Sequence, residues 1–249
     1  MAEERLPEII HPISSRLCYE PVIATSAHNP LLPLAQCSTA YNRTPATIAV
    51  ALSDFNSPRE WCLDLDRRWP ERLQIKALLL RQIGEALQPR EQQRRILELG
   101  IGDGELMLKL SQIQSNSLIM GVDINPELLA YSRARLASAQ VELIDQDLKQ
   151  PWGHDIGDSF DLVYSLQSFH DLGGYTELLA IYTQIRQVLV PGGKLFNADF
   201  ITPMAHDDPA APRRFPPEVH LALLKECGFI TPELIEQRGA IGCFKAIAP

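Results

Sequence analysis

The chain has 249 residues, 45% of them hydrophobic and 22% charged, which is the composition of an ordinary globular protein with one sizeable core and room for a small appendage. Its formal net charge of -8 argues against a nucleic-acid partner, because phosphate backbones are met by a basic stripe. Cys18, Cys37, Cys62, Cys227 and Cys243 are odd in number and lack C-x-x-C spacing, so neither a disulfide framework nor a zinc site is expected and a reducing compartment fits.

The N-terminus, Met-Ala-Glu-Glu-Arg, is too acidic for a secretory leader, and no apolar run approaches the roughly 20 residues of a membrane span. The expected address is the cytoplasm, with no membrane partner. Residues 1–57 are rich in proline and short apolar pieces. Thr44-Pro45 supplies a cap and a first-turn proline for a short helix, Ala46 to Leu52. Pro58 to Leu87 reads as helix with a break near Trp69-Pro70, and Pro89 to Gln93 as a polar linker.

The most informative stretch follows. Ile96-Leu97-Glu98-Leu99 is an apolar strand carrying one acid, and it breaks into Gly100-Ile101-Gly102-Asp103-Gly104 before a helical pattern with Leu106, Leu110 and Ile113 on one face. A glycine turn between a strand and a helix N-terminus seats a nucleotide-like cofactor, because bare backbone can approach the ligand and unpaired N–H groups point at it. Ser117 to Asp123 is the next strand, and Asn125-Pro126 caps a helix expected to run to Ala139. A strand from Val141 reaches Asp145-Gln146-Asp147-Leu148, and another spans Phe160 to Ser165 before Leu166-Gln167-Ser168-Phe169-His170. The helix Glu177 to Leu189 is expected to stop at Pro191-Gly192-Gly193, ahead of a strand from Lys194 to Ile201. A helix Pro217 to Cys227 and two strands, Thr231 to Gln237 and Ile241 to Ala248, joined by Arg238-Gly239-Ala240, close the chain.

Spacing separates the possible cofactors. A dinucleotide fingerprint puts its third glycine where this chain has Glu105, and a P-loop needs Gly-Lys-Ser/Thr, whereas Gly193-Lys194 is followed by Leu195. The acidic-x-G-x-G-x-G pattern resembles motif I of the class I S-adenosylmethionine-dependent methyltransferases, and the later strand ends resemble that family's further motifs in the same order. The resemblance covers about Ile96 to Pro249. It implies an α/β fold, a doubly wound seven-stranded sheet that is mostly parallel with an antiparallel last strand. It also implies two divisions: 1–93 as a mainly helical N-terminal lid segment and 94–249 as the cofactor-binding methyltransferase domain.

Residue by residue, the resemblance implies that Glu98, Gly100, Gly102 and Gly104 form the turn against the methionine part of S-adenosylmethionine. Asp123, with Ile124 after it, would hold the ribose, and Asp147 with Leu148 would meet the adenine. Ser165 and Leu166 would border the methionine moiety, while Phe169 and His170 would face the substrate. The Asn/Asp-Pro-Pro-Tyr signature of nucleic-acid amine methylases is absent, which again disfavours DNA and RNA. Trp61 and Tyr19 lie in the segment expected to cover the substrate, and His206 on the rim after strand five.

Methyl transfer from a sulfonium is an in-line displacement on an activated carbon, so positioning does much of the work. A hydroxyl acceptor gains from a general base, and His170 is the candidate, since imidazole titrates near neutral pH. No metal is expected: His206-Asp207-Asp208 reads as a solvated acidic loop. The leading expectation is therefore methyl transfer from S-adenosylmethionine, released as S-adenosylhomocysteine, to an oxygen or nitrogen of a small molecule, secondary metabolites included. The alternatives are an NAD-dependent oxidoreductase, for which Asp123 is suitable but the glycine spacing is wrong, and a non-catalytic cofactor-binding regulatory module.

Overall fold

The computed structural model describes residues 52–88 and 92–249; all but the last residue of the expected helix Ala46 to Leu52, Tyr19 and most of the 89–93 linker lie outside the described residues. Leu52–Asp54 forms a single 3-10 turn. Helix α1 (Pro58–Arg68) starts where expected: Ser57 Oγ accepts from Glu60 N at 3.2 Å, and Pro58 occupies the first turn, where its missing N–H has no intrahelical role. The break at Trp69-Pro70 separates it from α2 (Glu71–Ala86).

Seven strands follow: β1 (Arg95–Leu99), β2 (Leu118–Asp123), β3 (Val141–Asp145), β4 (Phe160–Leu166), β5 (Leu189–Phe200), β6 (Ile230–Arg238) and β7 (Ile241–Ile247). They form one sheet in the order β3-β2-β1-β4-β5-β7-β6. The pairs from β3 through β5 are parallel, and β7 is antiparallel to both of its neighbours. The last strand thus slots between β5 and β6, as a hairpin must when its first strand is laid down at the edge.

Helices α3 (Glu105–Ile113), α4 (Pro126–Arg135), α5 (Gly153–Ile156), α6 (Tyr175–Val188) and α7 (Pro217–Glu226) complete the wrap. One face of the sheet buries Ile96, Ile119, Leu162, Tyr164 and Phe196 against α2, α3 and α4; the other buries Leu97, Val163, Leu195 and Phe244 against α5, α6 and α7. Alternation along each strand sends neighbouring residues to opposite layers.

Helix α2 packs into the first of these layers. Ile75, Leu79 and Ile83 are fully buried in the layer they share with α3, and Lys194 Nζ on β5 donates to Ala86 O at 2.8 Å.

Three local differences have physical causes. Helix α6 begins at Tyr175, two residues early, because Glu177 Oε2 accepts from Gly174 N at 2.7 Å and so works as the cap of the first turn. Pro191-Gly192-Gly193 does not terminate that helix but forms a bulge inside β5, between the pairs Leu189↔Phe160 and Lys194↔Leu162. Gly192 has φ 78 and donates its N–H to Ala248 O at 2.8 Å, which ties the bulge to the end of the hairpin. Helix α4 stops at Arg135, short of Ala139, where Leu136 turns into the core. Helix α5 is an addition that sequence periodicity did not announce, being a single turn around buried Trp152 and Ile156.

Candidate active site

At β1 and β4 the strand order reverses, so the loops leaving their C-terminal ends part and open a crevice. A cavity of about 770 Å³ lies there. Its walls bring together Glu98, Gly100, Gly102, Asp123, Ile124, Asp147, Leu148, Leu166, His170, His206 and Trp61, residues from four strand ends, α1 and the loop after β5.

The three glycines of the turn do different jobs. All have positive φ, a conformation that suits glycine. A Cβ on Gly100 would sit 2.0 Å from Ser168 Oγ, and one on Gly104 would press on Ser132 and Leu136, so both are glycines for packing. Gly104 does not line the cavity; it is the left-handed N-cap of α3. A Cβ on Gly102 would instead project toward the cavity, where the nearest atom is Trp61 Cζ3 at 4.0 Å. Gly102 is thus the bare backbone against which a ligand can lie.

Asp123 fixes that turn. Its Oδ2 accepts from Gly102 N and its Oδ1 from Asn125 N, both at 3.0 Å. Each carboxylate oxygen keeps a lone pair for a ligand hydroxyl. Burial raises its pKa against the pull of these N–H groups. Asp147 has left β3 and enters a turn in which its Oδ1 accepts from Lys149 N at 2.9 Å; it lines the cavity, whereas Asp145 does not. Glu98, only 2% exposed, is pushed up to about 8 by burial, with Asp103 and Asp123 adding to the rise and the hydrogen bond from Tyr164 Oη, at 2.7 Å, opposing it. A buried acid beside two more carboxylates fits a ligand that brings positive charge.

On the opposite wall, His170 sits on a 3-10 turn, Phe169–Asp171, just past β4. Its Nδ1 lies 2.6 Å from Asp199 Oδ1, and Asp199 Oδ2 accepts from the backbone N–H of Phe169 and of His170 at 2.9 and 3.1 Å. The carboxylate fixes both the turn and the ring, leaving Nε2, 3.5 Å from Asp171 Oδ2, as the other ring nitrogen. Burial of His170 would lower its pKa, but the charge of Asp199 and its hydrogen bond outweigh this and raise it. Asp199 in turn is held low: burial acts upward, and His170 and the surrounding N–H donors act downward more strongly.

Residues 96–193 match the family model described as a methyltransferase domain. The matched stretch holds Glu98, the glycine turn, Asp123, Asp147 and His170. Among curated proteins, the chain is similar to the demethylmenaquinone methyltransferase of Thermus thermophilus, with 29% identity over 44% of the chain and 49% of the relative. It is also similar to that of Deinococcus radiodurans, with 28% identity over 44% of each. The matches thus span less than half of these relatives' length.

Among solved structures, the methyltransferase fold recurs in the DszA carbon methyltransferase (TM-score 0.60, 16% identity, 70% of this chain and 54% of that one). It recurs also in S-adenosylmethionine-bound CalS10, an amino pentose methyltransferase from Micromonospora echinaspora (TM-score 0.57, 20% identity, 71% of this chain and 91% of that one). A methyltransferase cofactor suits the cavity: Gly102 bares its backbone, Asp123 offers lone pairs for hydroxyls, and the acids answer a sulfonium and an ammonium.

Two expected contacts need correction. Phe169 does not face the cavity; it is 1% exposed and packs edge-on against Tyr182, 5.9 Å away, because successive residues of a 3-10 turn are rotated by about 120° and Phe169 and His170 therefore point in different directions. Ser165 is also withdrawn, its Oγ donating to Leu99 O at 2.8 Å and tying β4 to β1. Tyr19 lies outside the described residues.

The structure adds residues that pattern reading missed: Asp199, Gln167, Arg72 and Phe200, together with Met204, Arg213 and Arg214 on the long loop between β5 and α7, while Trp69, an aromatic of the segment expected to cover the substrate, lines the cavity beside Trp61. Asp199 did leave a signal, an acid within the apolar run Leu195-Phe196-Asn197-Ala198-Asp199-Phe200, the same kind of mark that singled out Glu98. Among the described residues, no helix is long and apolar enough to cross a membrane.

Proposed function

We propose that this protein transfers the methyl group of S-adenosylmethionine to an oxygen or nitrogen of a small molecule, and that its preferred acceptor is a hydroxyl that must lose a proton. The observation that carries this reading is the His170–Asp199 pair, 2.6 Å apart, in the wall of the same cavity as Gly102 and Asp123. An amine already near its pKa needs only a seat, whereas a hydroxyl gains about 10²–10⁴-fold from a positioned base.

Bound S-adenosylmethionine supplies a methyl group already activated on its sulfonium. The chain's own task is then to bind, orient and take a proton. Glu98, Gly102, Asp123 and Asp147 would hold the cofactor on the β1–β3 side. Asp199 keeps Nδ1 of His170 engaged, so Nε2 takes the proton from the acceptor hydroxyl. Trp61 and Trp69 close the cavity from the α1–α2 side and exclude water.

The reading is tested in two steps. Calorimetry with S-adenosylmethionine and S-adenosylhomocysteine should show micromolar binding, and NAD none. Methyl transfer should then be measured across hydroxyl and amine acceptors: His170→Ala should lose at least 100-fold of turnover on hydroxyls with cofactor affinity kept. Unchanged turnover would remove His170 from the mechanism, and NAD binding would overturn the cofactor.

A further inference from the structure

The turn that carries His170 leaves β4 through a residue whose backbone conformation side chains disfavour. Gln167 follows β4 directly with φ 55, in the left-handed region where residues other than glycine are uncommon. That angle sets the direction in which the next three residues leave the sheet. Ser168 packs against Gly100, so closely that a Cβ there would meet its Oγ at 2.0 Å; Phe169 enters the core, and the His170 ring reaches Asp199. A strained residue keeps such an angle only where its surroundings over-determine it.

Two hydrogen bonds do so for Gln167. From the sheet, Ala198 O accepts its backbone N–H at 2.7 Å. From α2, Arg72 Nε donates to its side-chain Oε1 at 2.6 Å. Arg72 has little freedom of its own. It is 8% exposed, and its Nη1 donates to Asp66 Oδ1 at 2.6 Å, while Lys76 Nζ donates to the other oxygen of Asp66 at 3.0 Å. Helices α1 and α2 therefore reach the turn through one guanidinium.

Asp199 secures the far end of the same turn by accepting from the N–H groups of Phe169 and His170. Arg72 secures its beginning. Arg72 lies before residues 96–193, the stretch that matches the methyltransferase domain, so this grip comes from helices that the family model does not include.

We propose that Arg72 is a positioning residue for the base: by gripping Gln167 it keeps residues 167–170 on the path that delivers the His170 ring to Asp199 and to the acceptor. The assignment rests on the reading of His170 as the base. It makes an unusual demand at position 167. Glycine adopts the left-handed angle without a Cβ to crowd it, and so depends least on the grip. Alanine keeps the Cβ, loses the amide, and should let the turn go.

NMR on histidine-labelled protein tests the grip without any acceptor. The proton between His170 Nδ1 and Asp199, identified by its absence from His170→Ala, should be sharp in the parent and in Gln167→Gly. It should be lost to solvent exchange in Gln167→Ala and in Arg72→Met. Methyl transfer supplies the second readout, with catechol as the hydroxyl probe and aniline as the amine. Gln167→Ala and Arg72→Met should each lose about tenfold or more of turnover on catechol, and far less on aniline, whose lone pair is already free. Gln167→Gly should keep several times the catechol turnover of Gln167→Ala, and in that background Arg72→Met should cost less than it does in the parent. If Arg72→Met fails to fold, the Gln167→Ala and Gln167→Gly pair, which leaves α2 as it is, decides alone. An Nδ1 proton that behaves alike in all variants, or Gln167→Gly no better than Gln167→Ala, overturns the grip and leaves the base standing. Catechol turnover unchanged in His170→Ala overturns the base reading and this assignment with it.

Discussion

Glu98 carries opposite consequences for stability and for binding. Its value in the folded protein, about 8, lies above its ordinary 4.5, because burial disfavours the charged form. A group raised in this way contributes stability fully below its ordinary value and loses it as pH rises toward the folded one. Glu98→Gln, which can still accept from Tyr164, should therefore melt like the parent at about pH 4 and about 2–8 °C higher near pH 8. The carboxylate is what a cationic cofactor needs, so S-adenosylmethionine, whose sulfonium carries the charge, should bind the parent more tightly as pH rises from 6 to 8, and the variant without that dependence. Calorimetry and thermal melts across that range check both. His170 makes the complementary case. It must be neutral to accept a proton, and Asp199 holds its pKa above 6.5, so turnover on hydroxyl acceptors should rise with pH through a midpoint above 6.5. Asp199→Asn removes the charge that outweighs burial; the midpoint should move to lower pH and the plateau should fall. A midpoint that stays in place would detach Asp199 from the base.

At the scale of elements, α2 is the instructive one. Its pattern read as a helix, but nothing in the pattern said which body it served. Leu79 is fully buried between the sheet and α3. Leu79→Ala should cost about 2–5 kcal/mol in urea unfolding, within a single cooperative transition of the described body, as core truncations do. A separate early transition for α1–α2 would mean that they do not belong to the same body. Most other elements were legible because their ends carry local chemistry: Ser57-Pro58 and Asn125-Pro126 start helices whatever surrounds them. Pro191-Gly192-Gly193 carried the same stop signal yet became a bulge, because Ala248, far along the chain, takes the backbone groups that a turn would have left to solvent. Ser165 and Phe169 were misassigned for a related reason. A strand end fixes which residues are near the crevice, but side-chain direction there depends on the 3-10 turn and on hydrogen bonds across the sheet.

Across the molecule, the N-terminal helices are joined to the cofactor turn by buried charges. Asp66 on α1 accepts from Arg72 and Lys76 on α2, at 2.6 and 3.0 Å, and Lys76 reaches Glu105, in the first turn of α3, at 2.8 Å. Glu105, on which burial acts upward, is drawn down to about 2 by Lys109 and Lys76. Asp66→Asn would remove the charge that Arg72 and Lys76 share, leaving buried Arg72 without its carboxylate and Lys76 with Glu105 alone. It should cost about 3 kcal/mol in urea unfolding, the scale of a broken buried pair. Because α1 carries Trp61 over Gly102, it should also weaken S-adenosylhomocysteine binding several-fold by calorimetry. Binding and stability both unchanged would show that this network is incidental.

By itself, the order of residues determined the alternation of strands and helices, the seven-stranded sheet, the glycine turn and the acids at the ends of β2 and β3. These depend on backbone conformation and on periodicity, and both act over a few residues. The strand order put those ends at one crevice. Only the tertiary structure decided that the side-chain position of Gly102 opens on the cavity while those of Gly100 and Gly104 are closed by packing, that α2 packs on the sheet, and that Asp199 stands behind His170. Each of those outcomes joins residues tens of positions apart through burial and hydrogen bonding, and no local pattern records which partners the folded chain brings together.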